Sequence, residues 1–325
     1  MRTITIEEHF LSTAYKEVMQ RNAAGQNSKP NSATATLEEK LADLGAIRLQ
    51  SMDAGGIDLQ VISHAVSGIG SVSGEEDIRL ARAANDQLAA AVAAHPDRYA
   101  GFALLPMSEP RAAADELERT VRSLKFKGAM INGTTNGRFL DDPAFLPILE
   151  RAVALDVPIY IHPAEPPAVV REAYYTGFDP VVSFNLATAG WGWHSETAIH
   201  SLRLILAGVF DRLPNLQIII GHMGEMIPFM LARINDRLTP PAKYLRRTVP
   251  EYFLQNFHIT TSGFFTDPPL LLTMQIMGAD RIIFSVDYPY STNEQGRAFL
   301  DNAAISPADK EKISHLNVER LLKLG

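Results

Sequence analysis

Glu7 and His9 stand two residues apart in Ile4-Thr-Ile-Glu-Glu-His-Phe10, a run that opens apolar and β-branched. On an extended strand, residues two apart project to the same side, so these side chains share a face while Glu8 points the other way. A carboxylate in such a run is costly to bury without a cation or hydrogen bonds. Asp287, after Ile282-Ile-Phe-Ser-Val286, carries the same argument, and His162 closes the run Pro158-Ile-Tyr-Ile161. Brought to one pocket, Glu7, His9, His162 and Asp287 make a mixed nitrogen and oxygen site suited to Zn²⁺ or Mn²⁺. Any lone strand-end histidine is more often a hydrogen-bonded core or rim residue. That reading is left to His64, His95, His194, His200, His258 and His315, with His64 and His194 placed to border the pocket.

A second pattern is Gly221-His-Met-Gly-Glu225. His222 ends an apolar strand run, and Glu225 falls in the first turn expected for the next helix. The carboxylate there either accepts from one imidazole nitrogen, leaving the other to face the pocket, or is an acid favoured by the helix dipole. Arg233, about two turns further on, is either a carboxylate anchor through paired guanidinium hydrogen bonds or part of a surface ion pair.

The elements that must position these groups alternate along the chain. Strands are expected at Thr3–His9, Asp58–His64, Tyr99–Leu105, Gly128–Asn132, Val157–His162, Gln217–His222, His258–Ser262 and Arg281–Asp287. Helical periodicity falls near Leu37–Ala54, Glu75–His95, Glu109–Leu124, Pro143–Leu155, Glu196–Leu213, Glu225–Leu238, Pro268–Met277 and Pro307–Leu322. Ser306 is the expected N-cap of the last, with Pro307 at its first position. Continuous apolar strands such as Ile218-Ile-Ile220 fit parallel strands covered on both faces. Eight such units predict an α/β fold, a (β/α)8 TIM barrel with loop insertions over its C-terminal face, forming one domain over residues 1–325. The alternative is an open α/β sheet with a second small domain. In a barrel the reacting groups sit at the C-terminal strand ends, where Glu7, His9, His162, His222 and Asp287 fall. Three longer connections are expected: a polar mouth loop at Ala14–Thr36, Pro163–Ser195 with Trp191 and Trp193, and the basic, aromatic Thr239–Asn256.

Composition narrows the chemistry. With 37 acidic against 30 basic residues the net charge is -7, which argues against nucleic acid as a partner. The absence of cysteine excludes a thiol nucleophile, a zinc-thiolate centre and an iron–sulfur cluster. The start MRTITIEEHF does not read as a secretory signal, and no apolar stretch approaches a membrane span, so a soluble cytoplasmic protein is expected. Neither a dinucleotide-type glycine motif after a strand nor a P-loop occurs.

These residues resemble the amidohydrolase superfamily, and within it the metal-dependent non-oxidative aromatic acid decarboxylases, such as the γ-resorcylate and 2,3-dihydroxybenzoate enzymes. The likeness spans nearly the whole chain. It rests on Glu7-Glu-His-Phe10, Ala103-Leu-Leu-Pro-Met107, Gly128-Ala-Met-Ile-Asn-Gly133, Ile161-His-Pro163, Glu196-Thr-Ala-Ile-His200, Gly221-His-Met-Gly-Glu225, Thr260-Thr-Ser-Gly263 and Phe284-Ser-Val-Asp-Tyr-Pro289. It implies that Glu7, His9, His162 and Asp287 hold one divalent ion, that His222 and Glu225 form a supporting dyad, and that Arg233 contacts substrate. Many relatives in the wider superfamily open with His-x-His and bridge two metals with a carboxylated lysine after strand four. Here the first position is Glu7 and strand four ends Ile131-Asn132, so a single metal is expected.

The implied reaction is decarboxylation of an ortho-hydroxybenzoate of the 2,3-dihydroxybenzoate, 2,6-dihydroxybenzoate or salicylate type. Protonation of the carboxyl-bearing ring carbon, with Asp287 as donor, would precede loss of CO2. Asn132, Trp191 and Tyr288 are the candidate ring contacts, with Trp193 beside them. The alternatives are hydrolysis of a lactone or amide, or a hydration, at the same mononuclear site, and a non-catalytic barrel. The resemblance also implies a homodimer or homotetramer.

Overall fold

The computed structural model describes residues 1–23, 32–65 and 72–324. Its strands are all paired in parallel, in two runs. The first is β1 (Ile4–Phe10), β2 (Leu59–His64) and β3 (Tyr99–Gly101). The second is β4 (Ala103–Leu104), β5 (Ala129–Asn132), β6 (Ile159–His162), β7 (Ile218–Ile220), β8 (Phe257–Thr260) and β9 (Ile282–Ile283). β3 and β4 are halves of one stave separated by Phe102, whose N–H donates to the Ile62 carbonyl at 2.9 Å, while Ala103 turns to Gly128. β9 returns to β1 through a Glu8–Tyr288 bridge and a 2.7 Å bond from the His9 N–H to the Tyr288 carbonyl. The ring is closed, and the chain is a (β/α)8 barrel.

Inward side chains fill the barrel: Ile4, Ile6, Val61, Phe102, Met130, Tyr160, Ile219 and Ile283, with Val318 and Leu322 packed on them. A second apolar layer joins strands to helices, as expected for parallel strands buried on both sides. The register of β1 on β2 shifts between Thr5 and Glu8. Thr5 pairs with Gln60 but Glu8 with Ile62, so β1 carries an extra residue. Strict alternation would place Glu7 opposite to the inward Ile6. The bulge re-aims the strand so that Glu7 and His9 also face the barrel interior above the apolar layers.

Element ends follow local chemistry. Ser306 accepts from the Asp309 N–H and Pro307 opens the helix, as expected. The single helix expected over Leu37–Ala54 is two, Ser32–Ala42 and Ala46–Ala54. The Asp43 carboxylate breaks it by accepting from the N–H groups of Gly45 and Arg48 at 3.1 and 2.8 Å. The three expected long loops are partly helical, with helices Thr13–Ala23, Ala168–Tyr174, Pro180–Ala187 and Val249–Asn256. Residues 24–31 of the expected mouth loop lie outside the described residues. The final strand is shorter than expected, Ile282–Ile283, and Asp287 lies on the extension beyond it. No helix among the described residues is long and apolar enough to cross a membrane.

Candidate active site

Glu7, His9, His162 and Asp287 come together at the C-terminal mouth, one ligand atom from each lying within 4.8 Å of the others. His9 Nε2 sits 3.2 Å from Asp287 Oδ1, and His162 Nε2 sits 3.3 Å from Glu7 Oε1. The opposite ring nitrogens are tied back: His162 Nδ1 donates to the Pro163 carbonyl at 2.7 Å, and His9 Nδ1 lies 3.3 Å from Ser63 Oγ. Such outer bonds fix ring orientation and leave the Nε2 lone pairs for a metal. Glu7 Oε2 is likewise held by Tyr160 Oη and by Thr260 Oγ1. Gly221 makes room for it, since a Cβ there would lie 2.8 Å from that oxygen. What remains is a set of buried atoms without partners, Glu7 Oε1, His9 Nε2 and Asp287 Oδ1, all turned to one point. Buried polar atoms are normally bonded, so three orphans of this donor chemistry fit one divalent ion.

The electrostatics follow from burial. Burial alone would raise the Glu7 carboxyl, but His222, His162 and His9 around it hold it well below the usual range. Burial and the neighbouring Glu7 charge push Asp287 up. Burial lowers His9 and His162 to about 4, so both rings are neutral, the form able to bind a metal.

His222 lies just past β7, in a backbone unlike the expected strand end. Residues His222, Met223, Gly224, Glu225 and Met226 have φ of +51°, +55°, +85°, +53° and +66°. Left-handed backbone costs about 1–2 kcal/mol per residue with a side chain, and such strain gathers at functional sites. The contorted run turns the Glu225 carboxylate back onto His222, whose Nδ1 lies 2.8 Å from Oε1. The next helix begins only at Ile227, so Glu225 is not the first-turn acid of the dipole reading. Although burial opposes its charge, His222 is raised to about 10 by Glu225 and Glu7. Its Nε2 lies 3.7 Å from Glu7 Oε1, at the edge of the ligand cluster.

The other expected residues divide. Asn132 ends β5 in register with His162 and lines a cavity of about 160 Å³ with Tyr15 and Met107. Trp191 is half exposed at the rim of a larger apolar cavity of about 830 Å³, which His194, His222, Glu225 and Phe264 also line. Trp193 is nearer the ligands, its ring centre 6.5 Å from that of His162 and its buried Nε1 without a partner. Tyr288 is a correction. It packs in the outer layer under Arg48, 4.9 Å from the guanidinium, because the residue after Asp287 points away from the mouth. Tyr290, which the sequence reading did not single out, stands where Tyr288 was expected, 5.7 Å from the His9 ring, and its spacing of three from Asp287 was the available signal. Arg233 is exposed on the helix Ile227–Leu238 and does not line the cavity, so within one chain it anchors no carboxylate in the site.

Comparison with known proteins places this geometry. A family model described as amidohydrolase matches residues 38–324. The chain is 38% identical to Decarboxylase orsB of Emericella nidulans, over 99% of this chain and 97% of that protein. It is 37% identical to the gamma-resorcylate decarboxylase of a Rhizobium species, over 99% and 98%. It superposes with a TM-score of 0.88 on a dihydroxybenzoic acid decarboxylase from a Polaromonas species, solved with manganese and the inhibitor 2-nitroresorcinol. That match has 36% identity and covers 99% of this chain and 97% of the other.

Proposed function

Because the chain belongs to the amidohydrolase family, we propose that it is a metal-dependent decarboxylase that releases CO2 from an ortho-hydroxybenzoate, acting as one domain over residues 1–325. The observation that carries this is the pairing of a four-residue ligand set, three of whose facing atoms are buried without partners, with a hydrogen-bonded His222–Glu225 dyad at one barrel mouth. Glu7, His9, His162 and Asp287 would hold one divalent ion, Mn²⁺ or Zn²⁺. When bound it would supply a Lewis acid that polarises and orients the substrate.

The chain's own groups handle the proton. Direct loss of CO2 would leave an aryl carbanion, so the carboxyl-bearing carbon must first be protonated. Asp287, raised by burial and by Glu7, is suited to donate that proton. The ring loses aromaticity, the carbon–carboxylate bond then breaks, and its electron pair restores the ring. His222, held by Glu225 with Nδ1 as donor, presents Nε2 to the site as a cationic partner for the phenolate. One proton is taken up per CO2 released. Trp193 and Tyr290 border the ring site, and the apolar cavity lies beside His222.

Self-association belongs to the same proposal. Val181, Val182 and Phe184 on one helix and Phe229 and Met230 on another are exposed, with Arg233 on the latter. Exposed apolar residues of this kind fit a homodimer or homotetramer, which sedimentation measures directly.

The deciding assay incubates Mn²⁺-loaded protein with 2,6-dihydroxybenzoate, 2,3-dihydroxybenzoate and salicylate, following substrate absorbance and CO2 release. Turnover of at least one supports the proposal. No turnover of any, with hydrolysis of a lactone or amide instead, overturns it.

A further inference from the structure

We propose that His194 is the third member of the acid–base group, a positioning residue that holds the Glu225 carboxylate so that it in turn orients His222. Glu225 is fully buried, and its two oxygens are divided between two rings. Oε1 faces His222 Nδ1 at 2.8 Å, and Oε2 faces His194 Nδ1 at 2.6 Å. The other nitrogen of His194, Nε2, lies 3.0 Å from the Ala189 carbonyl. Both its nitrogens therefore face oxygen acceptors, and the ring satisfies both only by donating from both. A buried carboxylate with one donor is free to turn about its terminal torsion. With a second, charge-assisted donor on its far oxygen, it presents Oε1 to His222 in one orientation.

The surroundings are built for this contact. His194 stands in the first turn of the helix Gly192–Leu206 and is nearly buried. Gly192 lets that turn pack on the end of the helix Pro180–Ala187, for a Cβ at 192 would lie 2.1 Å from the Ala187 carbonyl oxygen. The His194 ring packs edge-on to His222, with centres 4.9 Å apart, and to Phe264 at 5.7 Å. All three line the same apolar cavity. The insertion after β6 thus delivers a ring to a carboxylate that follows β7, closing the dyad from above.

The inference rests on the decarboxylase reading for its kinetic test, so a second readout is independent of turnover. In Mn²⁺-loaded enzyme, His194→Ala lowers kcat on 2,6-dihydroxybenzoate about 10- to 100-fold, the range of one coupled partner. KM and Mn²⁺ affinity stay within about twofold. His194→Gln, whose amide still donates to Oε2, recovers most of the loss. In a Glu225→Gln background, His194→Ala costs nothing further, because its effect passes through Glu225. In ¹⁵N-histidine-labelled, Zn²⁺-loaded protein without substrate, two downfield imidazole protons report the two rings on Glu225. His194→Ala removes one and moves the other. Wild-type kcat in His194→Ala overturns the inference, as do losses that multiply in the double variant or a His222 proton left unmoved. A wild-type enzyme inactive on every ortho-hydroxybenzoate instead retires the decarboxylase reading, and the imidazole protons still judge His194.

Discussion

Two clusters of histidine and carboxylate lie side by side in this barrel and are finished in opposite ways. In Glu7, His9, His162 and Asp287, outer partners satisfy the far side of Glu7 and both rings and leave facing atoms bare. In His194, Glu225 and His222, the atoms between the residues are bonded to one another, and only His222 Nε2 is turned outward. Residue type does not separate a metal seat from a proton relay; the location of the unsatisfied atoms does. By that measure the first cluster is the one an ion would complete, while the second closes on its own hydrogen bonds.

The sharpest way to break this contrast is to remove ligands from the first cluster. His162→Ala should abolish Mn²⁺ binding and lower turnover at least about 1000-fold, read by metal analysis and CO2 release. Asp287→Asn should lose turnover to a similar degree, since it removes the proton donor as well. Normal metal content in His162→Ala would end the assignment. Glu225→Gln should lower kcat by about 10²–10⁴ with Mn²⁺ affinity nearly unchanged, as expected for loss of general acid–base support alone. If that variant loses its metal, the two clusters are one.

Outer partners of the bare cluster should act on the ion. Tyr160→Phe removes the hydroxyl on Glu7 Oε2, and Mn²⁺ affinity should fall about 10- to 100-fold by titration calorimetry. Acid and base titration of stability sharpens the contrast further. In metal-free protein His9 and His162 are lowered to about 4, so below the ordinary value near 6.5 the unfolded chain takes up protons that the native site refuses. Stability falls as pH drops from about 6.5 toward 4, each residue contributing about tenfold in the unfolding constant per pH unit. His222, raised to about 10, has the opposite sign: its contribution is full below about 6.5 and lost as pH rises toward 10. Denaturant unfolding across pH measures both limbs. His64, His200 and His258 are also lowered by burial and share the acid limb. The site's part is therefore the slope removed by replacing His9 and His162 with Asn.

The barrel and the convergence of Glu7, His9, His162 and Asp287 were legible because strand ends and the cost of buried charge are written locally. Ile4, Ile6, Glu7 and His9 mark where local reading stops. Alternation puts Glu7 opposite Ile6, and only the bulge against β2 lets both face inward. The left-handed turn from His222 to Met226 was illegible for a related reason, since four of its five residues carry side chains that disfavour positive φ. Tertiary packing holds it, and no propensity signals it. His194 was read as a pocket-border histidine because its partner is 31 residues away and on another connection. Tyr288 was misread for want of one torsion: past Asp287, at φ +72°, the chain no longer alternates as a strand.

Trp193 tests the boundary between the clusters with the smallest effect. It sits on the His194 helix, yet its ring faces His162 and its Nε1 has no partner. A buried indole N–H without an acceptor costs stability unless something else meets it, and a substrate carboxylate or phenolate held beside His162 would supply the acceptor. Trp193→Phe keeps an aromatic ring and deletes that donor. KM for 2,6-dihydroxybenzoate should then rise about fivefold, about 1 kcal/mol of hydrogen bonding, with kcat and Mn²⁺ affinity each within about twofold. Steady-state kinetics and metal titration on one preparation measure all three. A fall in Mn²⁺ affinity with KM unchanged would place Trp193 among the supports of His162. A fall in kcat alone would place it with His194. Only the KM effect makes it a substrate contact at the boundary between the proposed ion seat and the His222–Glu225–His194 group.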